Sequence, residues 1–536
     1  MTLLALENFD GLAPKIHPER LASEFAQRAE NVRLDRGVIE GWRAPLKTDP
    51  LADAVKSIYK YRSSWLTSDF PRQYVDALQP NDVRERIYYT DEDYPKVRSA
   101  GQEFKLGLPR PRAPNATVTV KGDTANPTNV FSTRHIVTIV DAWGAEGPSS
   151  LAGRTNEVGE DFTIRLDLSG CRVTGPYNLG SGALFRIYRS NVTSSGTGLF
   201  QFVAEVPYSA RAFDDMVPSR ELQEAIPSTD WLAAPDDDKK LYPSGPLKSL
   251  VELPGAMLAG HTGNVVFISE PSVPTAWPYY YSNEHEIQAV TVTQSGLFCA
   301  TNKRPFLLAG SQPNAMVIVP IESEQACVSS RSMVDMGGYG IYASHDGLVV
   351  AEGTKADLIT ASLFDKTAWQ KFKPSTIRAF RFETKYVAFY GDIDAGTGFV
   401  FDPSGGNGTL TTFSGLSADA FYYDPIIDQY SIAHAPAGRW EIGAFDSGER
   451  MTAAWQSKVM VYPDIIALSC IRVRGSEFPI TVKIKADGVL QGTFVFPDEE
   501  AVRLPGGYRA RKWEVEIIGK GPIVGVYLSD SMRELP

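Results

Sequence analysis

Apolar residues along this chain recur in short alternating runs, broken by glycine, proline and acidic clusters, which is the period-two signature of half-buried strands. Early runs of this kind are Ser57–Tyr61, Gln73–Ala77 and Arg86–Thr90. His135–Asp141, Phe162–Leu168, Leu184–Ser190 and Phe200–Val206 continue the pattern. One stretch reads differently: Leu21, Phe25, Ala29 and Val32 recur at helical spacing and predict a short amphipathic turn or two. It runs into Leu34–Ile39, a turn with Gly37 at the left-handed position followed by a short strand. Such an arm packs on its own domain in the simplest reading and on a neighbouring subunit in the sharper one.

Punctuation between the runs predicts domains. Pro109, Pro111 and Pro114 crowd one segment, and proline at that density stiffens the chain and stays out of central strands. Residues 111–232 then carry short strands separated by turn clusters such as Gly144–Pro148 and Ser194–Gly198, the pattern of a fibronectin-III or immunoglobulin-like sandwich. Pro235–Lys240 and Pro243–Pro246 mark its exit. The triple acid Asp236, Asp237 and Asp238 reads as a solvated linker, with a calcium ligand set as the sharper alternative. From 245 to 450, groups of apolar strands start near Leu250, Ile287, Met333, Ile377 and Ala418, a spacing of about one propeller blade. A small antiparallel sheet cannot bury both faces alone, so such units pack against one another. After Trp455, strands at Ile465–Arg474, Ile480–Ala486, Gly492–Phe496 and Trp513–Ile518 suggest a small sandwich, closed by Ile523–Leu528. The expected protein is all-β: a β-propeller with an inserted fibronectin-III/Ig-like β-sandwich and a small C-terminal β-sandwich. Its expected segments are an N-terminal arm (1–50), first propeller strands (51–110), the insert (111–232), propeller blades (245–450) and the terminal sandwich (451–536).

Bulk numbers narrow the functional classes. At 536 residues the chain exceeds one hydrophobic core, and two to four domains are expected. With 43% hydrophobic and 22% charged residues it is ordinary globular material, and 45 glycines with 36 prolines favour many turns. The formal net charge of −11, with no sustained Lys/Arg block, argues against binding nucleic acid through phosphate neutralisation. Plain solubility accounts for the acidity; an acidic surface also suits a channel through which DNA passes without sticking. Cys171, Cys299, Cys327 and Cys470 lie far apart without a CxxC pairing, and reduced thiols are expected, with Cys171, Cys299 and Cys470 in or beside apolar runs where a buried thiol acts as a small hydrophobe. Met1–Asp10 lacks the pattern of a signal peptide, and no apolar run approaches the ~18 residues of a membrane span, so a soluble chain is expected.

Catalytic motifs do not surface. No GxSxG elbow, phosphate loop or GxGxxG turn is present. His285-Glu286 opens like a zinc-protease HExxH, but Ala289 stands where the second histidine belongs. The six histidines (His17, His135, His261, His285, His345, His434) show no metal-pair spacing. Gly391–Gly398 alternates carboxylates like a calcium loop yet lacks the bidentate Glu, and reads better as a glycine-rich hairpin turn. The 64 acidic residues leave a glycosidase carboxylate pair open. No catalytic, cofactor-binding or metal-binding residue is assigned, no cofactor is expected, and the chain is read as not an enzyme.

Several phrases, spread in order over nearly the whole chain, resemble the tail nozzle or tail-tube-end (tail hub) virion proteins of short-tailed bacteriophages. Asn8–Pro14 followed by Ala29–Gly37 is similar to that family's N-terminal arm. Arg86–Thr90, Tyr94–Lys96 and Leu106–Pro109 look like its next landmark. Val140–Ser149, Phe185–Ser190 and Phe213–Asp215 resemble its fibronectin-like strands. Gly263–Pro271 with Ala276–Pro278 is the most distinctive phrase, and Ala343–Leu348 and Arg503–Arg511 follow. Each has a plainer reading: Trp277-Pro278 as an apolar cap over a blade, Asp346-Gly347 as a hairpin turn, and Arg503, Arg509 and Arg511 on a solvated strand face rather than at a subunit contact. The resemblance implies a cyclic homo-oligomer, a hexamer, in the virion tail, synthesised in the bacterial host cytoplasm. Its implied partners are adaptor and portal-proximal proteins, tail fibres or spikes, and genomic DNA passing non-specifically through the lumen during ejection, with no membrane span. It carries no catalytic residue over to this chain. The alternatives are a receptor- or glycan-binding tail module and a host-surface polysaccharide hydrolase.

Overall fold

The computed structural model describes residues 3–125, 130–192, 198–404, 408–505 and 509–536. The turn cluster expected at Ser194–Gly198 falls mostly outside them, as do Gly506, Gly507 and Tyr508 of the arginine-rich phrase. Among the described residues the protein is nearly all strand, with one short α-helix, Lys366–Gln370, capped by the Asp365 side chain accepting from Ala368 N.

Among the described residues the fold is all-β and propeller-containing, with six four-stranded antiparallel meanders of blade type. The first is Tyr74–Asp76, Ile87–Tyr89, Lys96–Ser99 and Gln102–Lys105. The next four open at Lys248, Ile287, Val334 and Arg378. The sixth, Ala420–Asp424, Gln429–His434 and Glu441–Ala444, takes its fourth strand from Leu46–Pro50, nearly four hundred residues earlier in the chain. Asp346-Gly347 lies in the hairpin between Gly340–Ala343 and Leu348–Glu352.

By internal contacts the chain divides into two compact units: Arg72–Val290 with Ala309–Ile318, and Met1–Pro71 with Thr291–Leu308 and Val319–Pro536.

Within the first of these lies the inserted sandwich. Asn115–Val120, Thr163–Asp167 and Ala212–Asp215 form one sheet, and His135–Val140, Leu184–Val192 and Gly198–Pro207 the other. Val137, Ile139, Ile164, Leu166, Phe185 and Ile187 are fully buried in its core, because period-two alternation points each of them inward. The last strand pairs with Thr163–Asp167, so the sandwich architecture is kept with its own strand order.

In the other unit, the N-terminal segment is neither helical nor an independent arm. Leu3–Leu6 pairs with Ile523–Ser529 in the C-terminal sandwich. Arg28–Glu30 inserts between Thr409–Ser414 of the fifth meander and Ala453–Gln456, joining them in a ten-stranded sheet. Ala29 and Val32 do bury completely, as the helical spacing implied, but in extended backbone: Gln27 N donates to Gln456 O and Asn31 N to Thr412 O. Tertiary pairing outweighs a short local period. Two further expectations need correction. The Ser57–Tyr61/Ser64–Ser68 hairpin lies outside the first meander; Val55 and Ile58 pack with Ala420, Ala433 and Ile442 of the sixth. Ile465–Arg474 is two strands, Met460–Ile466 and Cys470–Gly475, in different sheets.

Candidate functional site

In the unit that contains the insert, the turn Asp141–Glu146 is held in one shape by a single carboxylate. Asp141 Oδ1 accepts from Trp143 N at 2.9 Å and Ala145 N at 2.8 Å. Gly144 sits at φ +88°, a conformation that favours glycine. Burial pushes the Asp141 carboxyl upward against those two amides. The next residue, Glu146, is locked by Thr138 Oγ1 at 2.5 Å, Arg186 Nη1 at 2.6 Å and Tyr188 OH at 2.8 Å. The turn presents Trp143 half-buried, with the edge of Phe104 at a centroid distance of 5.3 Å and the Arg84 guanidinium at 5.9 Å.

Beside Trp143 opens a cleft of about 250 Å³, lined among others by Arg86, Tyr88, Trp231 and Thr275. A narrower recess of about 20 Å³ shares Arg86, Tyr88, Trp143 and Thr275 with it and adds Asp141 and Asn178. Two residues on its wall carry buried polar atoms outside hydrogen-bond geometry, Thr275 Oγ1 and Asn178 Nδ2. The Asn178 amide nevertheless lies close enough to Asp141 to favour the carboxylate. Burial pushes the Tyr88 phenol up to about 12, so it is a neutral donor at any ordinary pH. The arrangement combines aromatic surface with groups that both give and take hydrogen bonds.

Two other polar clusters are structural. His135 Nε2 and Arg189 Nη1 meet Asp215 Oδ2 at 2.8 and 2.7 Å with all three side chains fully buried, tying the two sheets of the insert. In the other unit, a charged cleft of about 260 Å³ is lined by Arg33, Arg36, Arg43 and Asp446. Arg33 there is committed to Asp35 at 2.6 Å, Asp446 at 2.5 Å and Glu383 at 2.9 Å, and lies over Trp42 at 4.9 Å.

The motifs weighed from sequence fall apart spatially. His285-Glu286 sits in a turn and Ala289 in the strand Ile287–Thr293, so the helix that an HExxH site requires is missing. Asp236 pairs with Lys105 at 2.5 Å, and its other oxygen caps Asp238 N, as expected of a linker turn. Gly391–Gly398 carries a short 3₁₀ turn, Ile393–Ala395, joining two strands of the fifth meander. Arg503, Arg509 and Arg511 are exposed. Among the described residues no group of three His, Cys, Asp or Glu side chains could hold a metal ion, and no helix is long and apolar enough to cross a membrane. Sequence reasoning missed the cleft. Its one legible signal was a tryptophan, Trp143, placed inside a tight turn instead of a strand.

No protein-family model and no curated protein matches the chain. Solved structures similar to parts of it include BBS1N in complex with ARL6DN, at 9% identity and TM-score 0.29 over 76% of this chain and 96% of that one. Hsv2 of Kluyvelomyces marxianus is similar at 10% identity and TM-score 0.24, over 60% of this chain and 95% of its own. Sqt1 of Saccharomyces cerevisiae is similar at 8% identity and TM-score 0.26, over 78% and 99%. At this level of likeness none of them carries a functional argument.

Proposed function

We propose that this chain is a structural component of a bacteriophage tail: one subunit of a nozzle or hub ring that forms the DNA-ejection conduit below portal and adaptor, and not an enzyme. The observation that carries the reading is the way the first fifty residues are woven through three sheets of their own unit. A conduit that passes a pressurised genome must resist local unfolding, and strands donated over long sequence separations open only when whole sheets do. The docking is dense. Leu12 N donates to Leu410 O at 2.8 Å, Trp455 Nε1 to Asp10 O at 3.0 Å, and Phe9 meets the Trp455 ring edge-on at 4.9 Å. Support also comes from sequence order, since the phrases resembling the tail family run along the chain in the family's order. A ring needs heterologous contacts that close, and a hexamer with fibres or spikes at its flank is the assembly we favour. The net charge of −11 suits a lumen that repels DNA instead of gripping it.

Native mass spectrometry of the purified chain, alone and with its particle's adaptor, tests this reading together with a duplex-DNA titration at low salt. Closed oligomers and no retained DNA are expected. A chain that stays monomeric with the adaptor present, or binds duplex tightly, contradicts it.

A further inference from the structure

We infer that the cleft beside Trp143 is a saccharide-binding site, an activity beyond the structural role proposed above. Sugar rings present apolar C–H faces and a rim of hydroxyls that each donate and accept. A site for them therefore needs aromatic surface beside groups of both polarities at fixed positions. Trp143 supplies the surface on a turn held rigid by two backbone amides to Asp141, so little order is lost on binding. Trp231 adds a second indole on the cleft wall, its Nε1 turned away to Glu270 Oε2 at 3.3 Å. Arg86 lines both spaces, its guanidinium oriented by Asp82, which accepts from Nε at 2.7 Å and Nη2 at 3.2 Å.

The recess is the more telling part. Thr275, on the recess wall, carries a buried Oγ1 without a hydrogen-bond partner. Thr275, Asn178 and Tyr88 are among the residues that line this space of about 20 Å³, enough for one hydroxyl group or one water. A ring hydroxyl entering there takes a hydrogen bond from one neighbour and gives one to another. At about 250 Å³ the open cleft holds one or two rings, and its mixed lining does not suit a purely apolar ligand. Glu146 takes no direct part, because its oxygens are already committed to Thr138, Arg186 and Tyr188.

The test is a glycan array of bacterial capsule and lipopolysaccharide oligosaccharides, probed with the full-length chain and followed by calorimetry on the best hit. Trp143→Ala is expected to weaken binding at least tenfold. Thr275→Val, which removes only the unpartnered hydroxyl, is expected to weaken it severalfold while the melting temperature holds or rises. That separates a ligand contact from a packing role. An array without hits overturns the proposal, as does a hit whose affinity is unchanged in both variants.

Discussion

Replacing Asp215 by alanine removes the only negative member of a cluster whose three side chains are wholly buried. Asp215 Oδ2 accepts from His135 Nε2 at 2.8 Å and Arg189 Nη1 at 2.7 Å, while Oδ1 accepts from Val217 N at 3.0 Å. Without it the guanidinium of Arg189 keeps Val217 O at 2.8 Å and the face of Phe162 at 4.8 Å, but no counter-charge. An uncompensated buried charge costs about 3–5 kcal/mol. At about 4 °C per kcal/mol, the melting of the insert should fall by roughly 12 °C or more. A chain of several domains has no single unfolding free energy, so the assay is local: hydrogen exchange over His135–Val140 and Leu184–Val192, with urea titration. The pH dependence has a definite sign. Burial raises the Asp215 carboxyl, but the His135 hydrogen bond and the Arg189 charge outweigh it and hold it below the ordinary value. Its contribution is thus complete above the unfolded carboxyl pKa of about 4 and disappears as pH falls through the lower folded value. Replacing all three together (His135→Leu, Arg189→Met, Asp215→Leu) should change stability by about 1 kcal/mol or less, because no charge is then stranded. A loss under about 1 kcal/mol for Asp215→Ala alone at neutral pH would refute the reasoning.

Three further outcomes follow from packing and titration. A β-carbon at Gly11 would meet Leu410 O at 2.2 Å, so Gly11→Ala should break the Leu12–Leu410 hydrogen bond and destabilise the N-terminal weave by about 2–4 kcal/mol, read as faster proteolysis before residue 30. Burial, with Lys248 nearby, pushes His261 down to about 3, so its unfolded form takes up a proton first as pH drops below about 6.5. Between pH 6.5 and 5 the wild type should lose roughly 2 kcal/mol that His261→Gln does not, measured by urea midpoints. All four cysteines are free and buried; burial pushes the Cys171 thiol up to about 11 and Cys327 up to about 12, and raises Cys299 further. Native protein should resist a thiol reagent for hours, and denatured protein should react at all four.

Strands were legible wherever alternation met a clear turn. Ile480–Ala486 and Ser57–Tyr61 have the same bounds in sequence and structure. Alternation states which face is buried but not which strand lies beside it. That is why Leu46–Pro50 gave no hint that it completes the sixth meander, and why Ser57–Tyr61 was placed with the wrong one. The Leu21–Val32 period misled because four apolar positions also fit an extended segment trapped between two sheets, where neighbouring backbone decides. The cleft was opaque for another reason. Tyr88, Trp143, Trp231 and Thr275 come from separate stretches of the chain and share no spacing. Burial, once known, picks out Thr275 Oγ1 and Asn178 Nδ2 on the wall of its recess.

The most direct measurement is electron microscopy of intact particles carrying a label on this chain. A conduit subunit places the label in a closed ring of six around the tail axis, with DNA density passing through it before ejection and absent afterwards. Label found off the axis on a projecting appendage, or particles that assemble fully without the chain, would contradict the account.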